Sequence, residues 1–424
     1  INNFKDGVNA KIVLPKKLVI KMIPQMRAEE IISSDSEKNI FFGPVRNFPK
    51  EFSEETKTKF TSLFEESIKK NIIPSYTKLG DFLEKEYYPK ARDTDGYNSL
   101  PNGDKIYSFY AKSWTTTNLT PEEINKIGLQ QVAMLRAEME KVKLQVGFAG
   151  TLEEFITHVK NDPKAMPYKN AGEVLKAFNG ILAKITPKLK TMFSVNPKTK
   201  FEIRQTEKFR EASASAEYIQ GTPDGKRPGI FYVPLPDPTK FNVTSGMESL
   251  FLHEAIPGHH YQVSLQQENL NLPKFMRFGW LGAYGEGWAH YCETLGPEFG
   301  LYTEKKKKMG YLSDQMLRAV RLVVDTGLHT GKMKREEAIA YFLSNIAYDE
   351  PSAIAEVERY MAMPGQALGY KMGSLKIRGL RGGYQKELGA KFSLAKFHDE
   401  ILSQGCLPLD VLNRKMALWA KKQK

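Results

Sequence analysis

Several things are scarce in this chain of 424 residues, and each scarcity narrows what it can be. Only two cysteines occur, Cys292 and Cys406; a pair neither demands nor excludes a disulfide, so a cysteine-framed scaffold is not on offer and the redox compartment stays open. No apolar run reaches membrane-spanning length, no secretory leader stands among these residues, and no internal repeat or low-complexity tract stands out, which argues against a helical membrane bundle or a solenoid. Strand signals are few, the clearest being 200 to 204 and 229 to 233. Acidic residues are in the minority, 49 against 62 lysines and arginines, for a net charge of +13. Such a balance attracts anionic partners. The basic residues are scattered, however, and the one block, Lys305 to Lys308, lacks aromatic interleaving or a nucleic-acid motif. It reads as a solvated helix face, and nucleic acid is set aside as a partner.

What the chain has is helical periodicity. Thr120-Pro121-Glu122-Glu123 supplies an N-cap, a proline at the first helical position and a capping-box glutamate ahead of the apolar positions Ile124, Leu129, Val132, Met134 and Leu135. Thr151 with Glu154 repeats the cap. Further periodic stretches lie near 54 to 71, 151 to 160, 172 to 186, 309 to 329, 334 to 347 and 351 to 362. With 41% hydrophobic residues the chain can bury a large core. The expectation is a mainly α fold, with a mostly helical lobe over 1 to 205 and a second lobe over 206 to 424 that holds the motifs described next, joined without a linker as one continuous unit. The two lobes would flank a cleft, and the proline-rich stretch from Gly221 to Asn242 would wall it.

Histidine is also scarce, with seven in all, yet three of the seven fall in HEAIPGHH, His253 to His260. A His-Glu pair with a second histidine one helical turn later is a zinc hydrolase signature: two imidazoles hold the metal and the glutamate serves as general base. Here Pro257 stands where the second histidine belongs. Proline removes a backbone donor and collides with the carbonyl four residues back, that of His253, so the helix must kink or bulge. On an ideal helix His259 would lie roughly 120° from His253 and His260 within about 20°. A two-residue bulge would bring His259 into place instead. Spacing alone leaves both open.

A third protein ligand is needed downstream, since catalytic zinc commonly has three. Glu286 and Glu293 in GEGWAHYCE are the candidates, seven apart and near one helix face, with His290 between them as a neighbour. His158 and His398 read as ordinary helix residues. GIFYV, 229 to 233, lies between Pro228 and Pro234 and reads as a strand.

Several long motifs stand in one order: Thr116-Thr117 with LTPEEI at 119 to 124, DGKRPGIFYV at 224 to 233, HEAIPGHH, EGWAHYCETLG at 286 to 296, RLVVDTGLH at 321 to 329 and EVERYMAMPGQALGYKMG at 356 to 373. On these the chain resembles the bacterial domain of unknown function 885, whose members are often labelled lipoproteins and which is similar to gluzincin zinc metallopeptidases of the angiotensin-converting-enzyme and carboxypeptidase Taq type. The resemblance implies a helical gluzincin-like fold with a small sheet beside the metal helix. It also implies zinc as cofactor, with His253, His259 and Glu286 as ligands and with His260 and Glu293 as the alternatives. It implies Glu254 as general base. Tyr360, in an Arg-Tyr pair similar to that of angiotensin-converting-enzyme-type peptidases, and Tyr370, after PGQALG, are the oxyanion donors it suggests; His329 is a weaker candidate for a transition-state hydrogen bond.

Substrate would pair with the strand Gly229, Ile230, Phe231 and Tyr232, a form of β-augmentation, and would meet Arg359 and Gln366. The function so implied is zinc-dependent hydrolysis of short peptides. The alternatives are a non-catalytic peptide-binding envelope lipoprotein and a zinc amidase acting on a small non-peptide amide. Export to the periplasm or cell envelope, with a lipid anchor outside these residues, follows from the resemblance alone. The first residues resemble the interior of a family member, with room for a helical portion ahead of Ile1. Oligomeric state is not legible.

Overall fold

The computed structural model describes residues 1 to 211 and 214 to 424. Helix dominates, with one three-stranded sheet. The chain forms two compact units, Ile1–Asp104 and Lys105–Lys424. Residues 105 to 205 therefore share a unit with everything after 206. Among the described residues no helix is long and apolar enough to cross a membrane.

The first unit is small and helical. Its core is Val19, Phe82, Leu83, Tyr87 and Ala91. The Tyr87 hydroxyl accepts a hydrogen bond from the Leu14 amide at 2.9 Å, and Pro15 bridges to Arg92, which fastens the two ends of the unit.

The second unit carries the elements of interest: α1 (Pro121–Gln145), α2 (Ala171–Met192), β1 (Phe201–Gln205), β2 (Glu217–Ile219), β3 (Gly229–Val233), α3 (Met247–Glu254), α4 (His259–Glu268), α5 (Gly282–Glu293), α6 (Lys305–His329), α7 (Glu350–Ala362) and α8 (Leu368–Leu388). The expected capping box opens α1: the Glu123 amide donates to Thr120 Oγ1 at 3.2 Å and the Thr120 amide to Glu123 Oε2 at 2.8 Å. Thr151 and Glu154 do the same for the next helix. Along α2, Val174, Phe178, Ile181, Ile185 and Leu189 recur at helical spacing and are buried. They form the apolar stripe expected of a helix lying on a core. Phe178 meets Phe231 of β3 edge-on at 5.3 Å.

The sheet has the order β1-β3-β2, with β1 parallel and β2 antiparallel to β3. GIFYV is thus the central strand, buried on both faces at most positions. That corrects the expectation that residues 229 to 232 present an edge to substrate: both sides of β3 are taken, the edges are β1 and β2, and β2 is the one that lines the cleft.

Two helices run through the core nearly surrounded. From Met309 onward α6 is buried at most positions, and in α5 nearly every residue from Ala283 to Glu293 is buried. The tight crossing of α5 and α8 depends on two glycines. A Cβ on Gly373 would stand 1.8 Å from the Ala283 carbonyl oxygen, and one on Gly287 would stand 2.5 Å from Gly373 Cα. The block Lys305 to Lys308 begins α6; Lys306 pairs with Asp162 at 2.6 Å and Lys307 with Glu304 at 2.6 Å.

Candidate metal centre and its cleft

The helix expected to bend at Pro257 breaks altogether. Helix α3 ends at Glu254, the next residues form a turn, and α4 begins at His259. Gly258 is where the turn passes closest to the preceding helix: a Cβ there would stand 1.9 Å from the His253 carbonyl oxygen and 2.4 Å from that of Leu252. Helix α5 holds the turn from the other side, as Trp288 Nε1 donates to the Pro257 carbonyl at 2.9 Å and Cys292 Sγ lies 3.5 Å from it.

The break brings His259, and not His260, beside His253. His253, at the end of one helix, and His259, at the start of the next, face each other with ring centroids 4.9 Å apart. Glu286 Oε2 lies 3.5 Å from Nε2 of each. His260 points to the sheet instead, its Nδ1 3.0 Å from the Tyr218 hydroxyl and its ring 5.0 Å from that of Phe201. Burial pushes the His260 pKa down to about 4, and burial likewise takes His290 to about 3.

Three nitrogen and oxygen donors within 4.8 Å of one another could hold a metal ion. The distances test the fit. Donors about 2.0 to 2.1 Å from a tetrahedral zinc stand about 3.3 Å from each other, close to the 3.5 Å between Glu286 Oε2 and each imidazole nitrogen. Charge points the same way. Glu254, Glu286 and Glu293 crowd the two imidazoles; burial alone would depress the His253 pKa, but Glu286 and Glu293 outweigh it and raise it to about 10. Burial opposes ionisation of Glu286 as well, and His253 and His259 override it, holding that carboxyl far below its usual range. These carboxylates favour a cation at this place.

Glu293 is not in the donor trio. Its Oε1 accepts from His253 Nδ1 at 2.8 Å, which leaves Nε2 of that ring as the free donor. Its Oε2 accepts from Gln315 Nε2 at 2.9 Å, and Lys371 Nζ donates to Gln315 Oε1 at 3.1 Å. A chain of hydrogen bonds from α8 through α6 thereby orients a carboxylate of α5 against His253. If the trio holds zinc, the Glu293→Gln variant is expected to weaken its binding about 10- to 100-fold, measured by competition with a chelator; unchanged affinity would show that Glu293 does not set the ring.

The trio lies in a cleft of about 640 Å³ within the second unit, lined also by Glu254, Gln266, Arg318, Arg321, Arg359 and Tyr370. Burial raises the pKa of Glu254, against the pull of His253 and His259. Residues 215 to 218 and Gln220 form one wall. The expected wall from Gly221 to Asn242 does not line the cleft; it supplies β3 and one tight turn, Pro238–Lys240. Phe278 and Trp280, 53% and 47% exposed, stand at the mouth.

Of the two tyrosines, only Tyr370 lines the cleft, with the Arg321 guanidinium 4.9 Å from its ring centre. Tyr360 is 1% exposed; its hydroxyl donates to Glu356 Oε2 and accepts from Arg321 Nε at 3.2 Å. That hydroxyl is engaged inside the wall, so Tyr360 is withdrawn as the oxyanion donor. His329 is withdrawn too: it is fully buried, its Nε2 3.1 Å from the Tyr360 carbonyl and its ring 4.8 Å from Tyr107. Arg359 lines the cleft and donates to Gln366 Oε1 at 2.8 Å. His398 is buried between Met192 and Tyr291. His158 is exposed beside Phe148.

Sequence reasoning missed Arg318, Arg321 and Glu356. Arg318 and Arg321 sit three apart on α6, where an i, i+3 pair of charges inside an apolar helix was the available signal.

The family model described as "Bacterial protein of unknown function (DUF885)" matches residues 1–416. The crystal structure of a "putative lipoprotein" from Colwellia psychrerythraea is similar at 31% identity with a TM-score of 0.92, over 99% of this chain and 72% of that one. A "putative lipoprotein of unknown function" from Shewanella oneidensis shares the fold at 18% identity and a TM-score of 0.71, over 95% of this chain and 73% of that one. No curated protein matches. With its family model matched along nearly its whole length, and a solved relative superposing on 99% of it, the chain belongs to the bacterial family DUF885.

Proposed function

We propose that this chain is a zinc-dependent peptidase of the cell envelope that cleaves short peptides. One observation carries the reading: His253, His259 and Glu286 converge, and Glu254, which is not among the converging donors, lines the same cleft. A structural metal site usually closes its coordination with protein ligands and has no use for a neighbouring base. The likeness of the motifs to those of gluzincins, read from the sequence, agrees with the same assignment, and the envelope location rests on the lipoprotein description of the similar structure at 31% identity.

When bound, zinc supplies a Lewis acid for the scissile carbonyl and for the attacking water. Glu254 takes the proton from that water and passes it to the leaving amine, a task for which a carboxylate held in a partly desolvated cleft is suited. Tyr370, which has no carboxylate hydrogen-bond partner among the described residues, donates toward the oxygen of the tetrahedral intermediate. The sheet edge at β2 holds the peptide extended. β2 pairs with β3 on one side only, and Glu217 and Tyr218 line the cleft, so a fourth strand has a place to add.

Protein purified away from chelators is expected to carry about one zinc per chain and to cleave members of a peptide library, and His253→Ala and His259→Ala to lose both metal and activity. Elemental analysis and mass spectrometry of the digested library check this. Zinc retained in both variants would remove the site; zinc-loaded protein that binds peptides and cuts none would make this a binding protein.

A further inference from the structure

We propose that Arg318, Arg321 and Arg359 form a carboxylate-binding subsite in the cleft wall, so that the preferred substrates are peptides with a free carboxylate beside the bond to be cut. This rests on the peptidase reading for the word substrate and on the wall alone for the carboxylate.

All three guanidiniums line the cleft that holds the donor trio. The acceptors around them are too few. One oxygen, Glu356 Oε2, takes Arg321 Nη2 at 3.1 Å and Arg359 Nη2 at 3.3 Å, along with the Tyr360 hydroxyl. Arg359 Nη1 turns to a neutral amide, Gln366 Oε1. Arg318 has less still: its nearest carboxylate oxygens are Asp314 Oδ1 at 3.9 Å and Glu293 Oε1 at 4.0 Å, and its buried Nε has no hydrogen-bond partner among the described residues.

Buried guanidinium donors left unfilled are costly, and a planar fork of donors matches the two oxygens of a carboxylate. The wall therefore has guanidinium donors to spare. Arg277, on another side of the cleft, makes the contrast, since its Nε and Nη2 already donate to the Gln267 carbonyl at 3.0 and 2.6 Å. The near side of the wall adjoins the metal donors, because the Glu293 that Arg318 approaches is the one holding His253. A carboxylate seated here would come from the peptide C-terminus or from an aspartate or glutamate side chain.

The test uses zinc-loaded Glu254→Gln protein and reads binding, so it does not depend on turnover. Three probes are titrated: N-acetyl-Ala-Ala-Phe with a free C-terminus, the same peptide as its C-terminal amide, and N-acetyl-Ala-Ala-Glu amide. The free acid is expected to bind at least about tenfold more tightly than the amide. The Arg318→Gln and Arg359→Gln variants, checked for an unchanged melting temperature and zinc content, are expected to reduce that preference to about twofold or less. The glutamyl amide separates the sources, matching the free acid if a side chain suffices and the plain amide if a terminus is required. Equal binding of acid and amide, or a preference that survives in both arginine variants, would overturn the subsite. Wild-type hydrolysis of the same peptides separates the two claims: cutting without preference sinks the subsite and keeps the peptidase, whereas preference without cutting does the reverse.

Discussion

Glu254→Gln is expected to lower the rate of peptide hydrolysis by roughly a thousandfold while the protein keeps its zinc and its fold. The substitution is nearly isosteric. It exchanges one oxygen for an amide nitrogen, and the donor atoms of His253, His259 and Glu286 are untouched. What it removes is the group that accepts a proton. Single-turnover kinetics at saturating peptide, alongside metal analysis, give the answer. A variant that still turns over within about tenfold of wild type would take Glu254 out of the mechanism, since a positioned base typically supplies 10²- to 10⁴-fold.

Gly258→Ala should do more damage through a single methyl group. Its Cβ would sit 1.9 Å from one backbone carbonyl oxygen and 2.4 Å from another, so backbone must move, and the backbone that moves leads directly into His259. A loss of about 3 kcal/mol or more in stability is expected, of the size seen when a tight core is overpacked, with zinc affinity lowered at least about 100-fold because the second ligand is displaced. Gly180→Ala supplies the opposite sign. That glycine lies within α2, is exposed and has nothing within 4 Å of the added atom, so alanine there is expected to stabilise by about 0.5 to 1 kcal/mol. Thermal unfolding of both, with and without zinc, makes the comparison. A Gly258→Ala protein that melts and binds zinc like wild type would mean the turn is not built as described.

The parts of this molecule that were legible in sequence are the local ones. Caps at Thr120 and Thr151 depend on residues three apart, and the metal segment depends on seven consecutive residues whose proline forces the helix to end. Spacing alone did not choose between His259 and His260 as the donor, though the resemblance put His259 first; the turn that brings His259 beside His253 is held in part by Trp288, a residue far along the chain. The strand error has a physical cause as well. GIFYV is continuously apolar, the pattern of a strand covered on both faces, which was the sign that it lies at the centre of the sheet. The edge at the cleft, Glu217–Ile219, is three residues long and half-buried throughout, and offers no alternation to read. Tyr360 misled through its neighbour: the Arg-Tyr pair drew attention, but Tyr360 lies one turn after Glu356 on α7, and that carboxylate claims its hydroxyl. The arginine wall stayed hidden because α6 reads as an apolar helix whose charges would normally be placed outward.

The attachments of α5 also set what in this protein can move. That helix carries Glu286, holds His253 through Glu293, and holds the turn before His259 through Trp288 and Cys292. All three donors are thus carried by one helix or tied to it by hydrogen bonds. Any motion that admits or releases a ligand is expected at the outer residues of the mouth such as Phe278, whereas Trp280, its ring 5.8 Å from that of His259, rests against a donor. Turnover limited by such a motion would vary with solvent viscosity and with substitutions at the mouth, while the affinity for the ion stayed the same.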